Sequence, residues 1–162
     1  MIDTFIQKDS IVQPLPSADF LSKLENYWCV TLPKDYRDFI MQYNGAILRE
    51  DIAYHYEISR FLCVLENYQD HPCGCFDIDV IDAQIGERLC DDPNARGTSL
   101  LPIALLFYGN FLCLDFRKDK ANPSVCIWVN EESGEFSAST YKLANNFTEF
   151  LGILTYPKNN SF

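Results

Sequence analysis

Residues 32–46 read LPKDYRDFIMQYNGA, a helix with both of its ends marked. Pro33 suits the first helical position, where its missing N–H removes no hydrogen bond. Tyr36, Phe39, Ile40 and Tyr43 recur at i, i+3, i+4 and i+7, so one face is apolar. Asn44-Gly45 stops the run, because glycine takes the left-handed conformation that ends a helix. Upstream, Ser17 is a candidate N-cap, and Asp19 in the first turn suits the helix dipole. Phe20, Leu21, Leu24, Tyr27 and Trp28 keep helical spacing and predict a first helix over 18–28. Residues 1–16 are mixed in character, end in QPLP and read as a lead-in segment.

Beyond Gly45 the period changes. AYHYEISRFLCVL is rich in aromatic and β-favouring residues, with Tyr54, Tyr56 and Ile58 on one face and His55 and Glu57 on the other. This predicts strands near 46–49 and 53–63. YQDHPCGCFD reads as a loop, and IDVIDAQIGERL as a short helix with Ile78, Ile81, Ile85 and Leu89 on one side. After the loop DDPNARGTS the chain turns into a meander. SLLPIALLF is a buried strand, Tyr108-Gly109-Asn110 a turn, and NFLCLDFR and SVCIWVN two alternating strands around the turn DKANPS. Glu132-Ser133-Gly134 closes a hairpin onto a short last strand, EFSAST. Asn146, with Glu149 three residues on, opens a last helix lined by Phe147, Phe150, Leu151 and Leu154, and Pro157 lies beyond its end. Helices flanking a mostly antiparallel sheet make this an α+β chain, and 162 residues fit one domain over 1–162.

Composition narrows the function. The chain carries 13 basic and 23 acidic residues, a net charge of −10, which repels nucleic acid and anionic membrane surfaces and attracts basic proteins. No apolar run is long enough to span a bilayer, and MIDTFIQKDS lacks the basic start and apolar core of a secretory signal. Cysteines 29, 63, 73, 75, 90, 113 and 126 are odd in number, and several sit inside apolar runs. Reduced thiols in a cytoplasmic protein are the expectation.

Catalytic signatures are missing. There is no phosphate loop, no dinucleotide fingerprint and no nucleophile elbow. His55, between two tyrosines, reads as a structural or surface residue. His71-Pro-Cys73-Gly-Cys75, with Cys63 and Cys90 at a distance, is the one metal-like cluster, but its C-x-C spacing is tighter than structural zinc prefers. Neither metal nor cofactor is expected. Between 66 and 92 the chain carries eight acids, Glu66, Asp70, Asp77, Asp79, Asp82, Glu87, Asp91 and Asp92, with Arg88 as the one opposing charge. Such a one-signed block is costly in self-repulsion and makes these eight the candidate partner-binding residues.

Four segments, taken in order, resemble the SUKH superfamily, which includes the SMI/KNR-type cell-wall assembly regulators of fungi and many bacterial proteins. They are the LP-x-x-Y-x-x-F helix ending in Asn-Gly, the P-I-A strand with its glycine turn and following L-D strand, the V-x-x-W strand, and the F-x-x-F-L helix. The segment 50–98 follows the family pattern least. The resemblance implies an α+β fold of SUKH (SMI/KNR-like) type and no enzymatic activity. It implies an immunity protein that binds and neutralises a cognate polymorphic toxin, often a nuclease. The alternative is an SMI/KNR-like scaffold that binds a cell-wall-synthesis or signalling protein. A third reading, from a different class, is a metal-dependent enzyme or zinc-stabilised domain using His71, Cys73 and Cys75. Metal content of the purified protein separates it from the first two.

Overall fold

The computed structural model describes residues 2–155. The expected stop at Pro157 lies outside them. A two-stranded antiparallel ribbon joins β1 (Ile6–Gln7) to β2 (Ile47–Leu48). Between these come α1 (Ala18–Trp28) and α2 (Lys34–Tyr43). After β2 follow α3 (Glu50–Tyr56), β3 (Ile58–Phe61), α4 (Ile78–Ile85), β4 (Leu100–Leu106), β5 (Phe111–Asp115), β6 (Ser124–Trp128), β7 (Thr140–Ala144) and α5 (Phe147–Thr155). Strands β3 to β7 form one antiparallel sheet in chain order. The molecule is therefore α+β, with α3 packed on β3, α4 on β4, and α5 on β6 and β7.

Local sequence accounts for the helix ends. Ser17 Oγ accepts from the Phe20 N–H at 3.1 Å and caps α1. α2 starts at Lys34, one residue after Pro33, and its end is fixed by tertiary contacts as well as by glycine. Asn44 is fully buried, donates to the Val12 and Val64 carbonyls, and accepts from the Val64 N–H at 2.9 Å. Gly45 has φ +66°, and a Cβ there would stand 2.6 Å from Val12 Cγ2. Asn146 Oδ1 accepts from the Glu149 N–H at 2.8 Å, and the Glu149 carboxylate reaches back to the Asn145 N–H at 3.0 Å. Reciprocal bonds of this kind fix a helix start.

The core is aromatic. Phe39 of α2 meets Phe61 of β3 and Phe147 of α5 with ring centroids 4.8 and 5.1 Å apart, and Tyr36 meets Phe147 edge-on at 5.2 Å. Such pairs add about 0.5–1.5 kcal/mol each beyond the area they bury. β4 is buried at nearly every position, and β5 likewise, so both faces of the central sheet are covered and the alternation expected for NFLCLDFR is not realised.

Three expectations are corrected. The stretch 53–63 is not one strand: 50–56 is helical, and only Ile58–Phe61 joins the sheet. Glu50 and Asp51 suit the first turn of that helix, Ile52 is buried, and Tyr56 turns inward to donate to the Ile153 carbonyl at 2.7 Å. Packing overrides β propensity here. The last strand is Thr140–Ala144 rather than EFSAST, where only an isolated Gly134–Ser137 bridge forms. Phe136 takes a left-handed conformation and donates its N–H to the Glu87 carbonyl at 2.7 Å, which commits those residues to a turn. β1, inside the segment read as lead-in, also belongs to the fold.

Candidate interaction surface

The C-terminal end of α1 is held from two sides. Trp28 Nε1 donates to Asp79 Oδ1 on α4 at 2.8 Å. The Thr98 N–H donates to the Trp28 carbonyl at 2.8 Å, drawing the 91–99 loop against the helix end. Gly97, at φ +72°, makes that approach possible, since a Cβ would lie 2.5 Å from the Trp28 carbonyl oxygen. α4 is capped by Asp77, whose Oδ1 accepts from the Asp79 and Val80 N–H groups at 2.9 and 3.4 Å. Its Oδ2 accepts from the Leu65 N–H at 2.8 Å. The 129–139 loop closes the third side. Arg88 lies over the Trp128 ring at 5.1 Å and donates to the Asn130 and Ser133 carbonyls, while Trp128 Nε1 donates to the Arg88 carbonyl at 2.8 Å.

Between these walls lies a cleft of about 380 Å³. Tyr27, Pro93 and Phe136 contribute its apolar surface, and Asp82 and Asp92 its charge. Tyr27 is 75% exposed, although its helical spacing groups it with the buried Leu21, Leu24 and Trp28. Burial raises the Asp82 carboxyl, and Asp79 nearby adds to the effect. Burial also raises the Cys90 thiol, so this cysteine is no ready nucleophile. An aromatic surface edged by carboxylates is suited to a basic side chain from another protein.

The eight acids do not share one face. Asp77 is 3% exposed and fully engaged in capping, so it is a structural residue and not a surface contact. Asp79 is half-buried and holds Trp28. Asp82 and Asp92 line the cleft, and Glu87 and Asp91 are exposed on the segment beside them. Glu66 lines a separate hollow with Pro14, Pro16 and Ser17, at the other end of α1. At 1.5 Å per residue that is roughly 16 Å away. Asp70 is exposed in the loop that follows Glu66. Arg88 opposes none of the eight, being bound to carbonyls. Instead Arg117, just past β5, pairs with Asp91 at 2.7 Å and with Asp115 at 2.8 Å. Asp91 also accepts from the Ala138 N–H at 2.9 Å, which further ties down the 129–139 loop.

The His71 cluster has a structural explanation. Nδ1 accepts from the Cys73 N–H at 2.9 Å, and Nε2 lies 2.6 Å from the Gln13 carbonyl, so the ring fastens its loop to the lead-in segment. Among the described residues no three His, Cys, Asp or Glu side chains are placed to hold a metal ion. Within the same residues no helix is long and apolar enough to cross a membrane.

A family model described as SMI1 / KNR4 family (SUKH-1) matches residues 15–153. Comparison with curated proteins and with solved structures gives no match. The matched span runs from just before α1 to the last turn of α5 and contains the whole cleft, and its α+β architecture is the one the SUKH resemblance implies. The chain belongs to the SMI1 / KNR4 family (SUKH-1).

Proposed function

We propose that the chain is a non-enzymatic cytoplasmic immunity protein that binds and neutralises a cognate polymorphic toxin. The observation that carries this reading is the cleft in which Asp82 and Asp92 edge an aromatic surface, on a chain of net charge −10 in this family. A nuclease toxin suits that surface, because a protein that holds a phosphate backbone is itself basic. The same charge disfavours nucleic acid and anionic membranes as direct partners. Asp82, Glu87 and Asp92 form the proposed contact group, Asp91 being held by Arg117 and the Ala138 N–H, and Glu66 and Asp70 add to the negative field outside it. The test is co-expression with a secreted toxin whose gene neighbours that of a SUKH protein, beginning with any such gene next to this one. Capture of the toxin and restored growth are expected. A toxin that neither binds nor is neutralised removes the proposal.

The resemblance to SMI/KNR-type regulators supports a second reading, a regulatory scaffold that binds a cell-wall-synthesis or signalling protein. Growth rescue separates the two, since a scaffold has no toxin to neutralise.

A further inference from the structure

Among the described residues, four other than glycine have positive φ: Cys29, Glu57, Tyr108 and Phe136. Left-handed backbone crowds a side chain, so each such residue carries strain. Two of the four sit side by side. Glu57 caps the end of α3, Tyr108 lies in the turn from β4 to β5, and the Phe107 N–H donates to the Glu57 carbonyl at 2.8 Å.

Burial does not explain Tyr108. It is 83% exposed, with φ 65° and ψ 21°, and the next residue is Gly109, so glycine is available to this turn. Beside it Tyr54 of α3 is 75% exposed and meets Phe107 edge-on at 5.9 Å. The carboxylates of the same helix and its cap divide into two kinds. Asp51 is paired with Arg49 at 2.9 Å, while Glu50 and Glu57 are exposed with no ion pair among the described residues. A tyrosine held out in solvent gains no burial to offset its left-handed backbone, and such strain is a reason to look for function.

We propose that Tyr54, Phe107 and Tyr108, together with Glu57, form a second docking face that takes an arginine-bearing segment of the basic protein partner. The inference rests on the reading of that partner as basic. Arginine is favoured over lysine because its planar guanidinium stacks on aromatic rings and still pairs with a carboxylate. The face is distinct from the cleft. β4 begins at Leu100, which lines the cleft, and ends just before Tyr108, so its seven residues hold the two roughly 20 Å apart. A partner that engages both sites gains from the second contact without a new binding event in solution.

The test uses the full chain and two amidated heptapeptides, one of alternating glycine and arginine and one with lysine in place of arginine. Binding is read by NMR at the Tyr54 and Tyr108 rings, and stability by thermal unfolding. The arginine peptide shifts both rings, and the lysine peptide binds them more weakly. Tyr54→Ala and Tyr108→Asn each weaken the arginine-peptide interaction at this face by about tenfold. Asparagine tolerates left-handed backbone, so Tyr108→Asn keeps or raises the thermal midpoint. A lowered midpoint assigns Tyr108 to the fold and overturns the inference, as does unaltered peptide binding in both variants. Shifts confined to Tyr27 and Phe136 at the cleft also overturn it, while leaving the charge-based proposal for the cleft in place.

Discussion

Asp77 holds two parts of the chain together with one carboxylate, capping α4 and accepting from Leu65. Burial pushes its carboxyl up to about 6, against the opposing effect of its N–H donors. The folded state therefore binds this proton more tightly than the unfolded chain does. The contribution of Asp77 to stability is greatest below about pH 4 and falls as the pH rises through 6. Asp77→Asn removes that dependence, so unfolding measured between these limits shows a flatter slope in the variant. Asp77→Ala leaves the cap and the Leu65 N–H without their partner and costs about 2–4 kcal/mol. Tyr36 is the opposite case. Its hydroxyl is buried with no hydrogen-bond partner among the described residues. Tyr36→Phe is expected to leave stability unchanged or raise it by about 1 kcal/mol in urea unfolding, and a clear loss reveals a partner for the hydroxyl. The count of acids over 66–92 conveys their charge, but nothing in it separates the buried cap Asp77 from the exposed Glu87. That distinction comes from which backbone N–H groups the fold brings near each carboxylate.

At the scale of elements, α1, α2 and α5 are legible because each has several apolar residues at helical spacing and a marked end. α3 is not, because its seven residues, with two tyrosines and one isoleucine, run into the β-favouring ISRF and satisfy a strand pattern as well as a helical one. Only its packing, with Ile52 inside and Tyr56 bonded to α5, decides between them. β7 lies later than EFSAST because the turn before it is longer than Glu132-Ser133-Gly134 suggests, running through the left-handed Phe136. The cleft was illegible for a related reason: its walls come from α1, α4 and two loops far apart in sequence. The link between α1 and α4 is testable through Asp79. Asp79→Ala removes a hydrogen bond to a charged acceptor and costs about 1.5–3 kcal/mol, whereas Asp79→Asn retains an acceptor for Trp28 and costs less. Trp28 fluorescence follows the loosening. The central strands give a second check. Cys113 and Cys126 face each other across β5 and β6, buried, with thiols raised by burial, and Cys63 is buried likewise and raised to about 12. A thiol reagent is expected to modify exposed Cys29 and Cys75 in the folded protein and to reach these three only on unfolding.

For the whole molecule, the proposed function gives the net charge of −10 the role of steering a basic partner and the cleft the role of holding it. Long-range attraction speeds encounter and weakens as salt screens it, while contacts made inside the cleft govern dissociation. Neutralising Glu66, at the far end of α1, and Asp70, exposed four residues on, is therefore expected to slow association with little change in the dissociation rate. The central claim is that Asp82 and Asp92 grip a basic toxin. Its most direct measurement is calorimetric titration of the wild-type chain and the Asp82→Asn, Asp92→Asn double variant with the toxin domain that the proposed function requires, at low and high salt. Binding is expected to weaken with salt and to be at least about tenfold weaker in a variant that remains folded. Equal affinity for the two chains, or binding indifferent to salt, contradicts it.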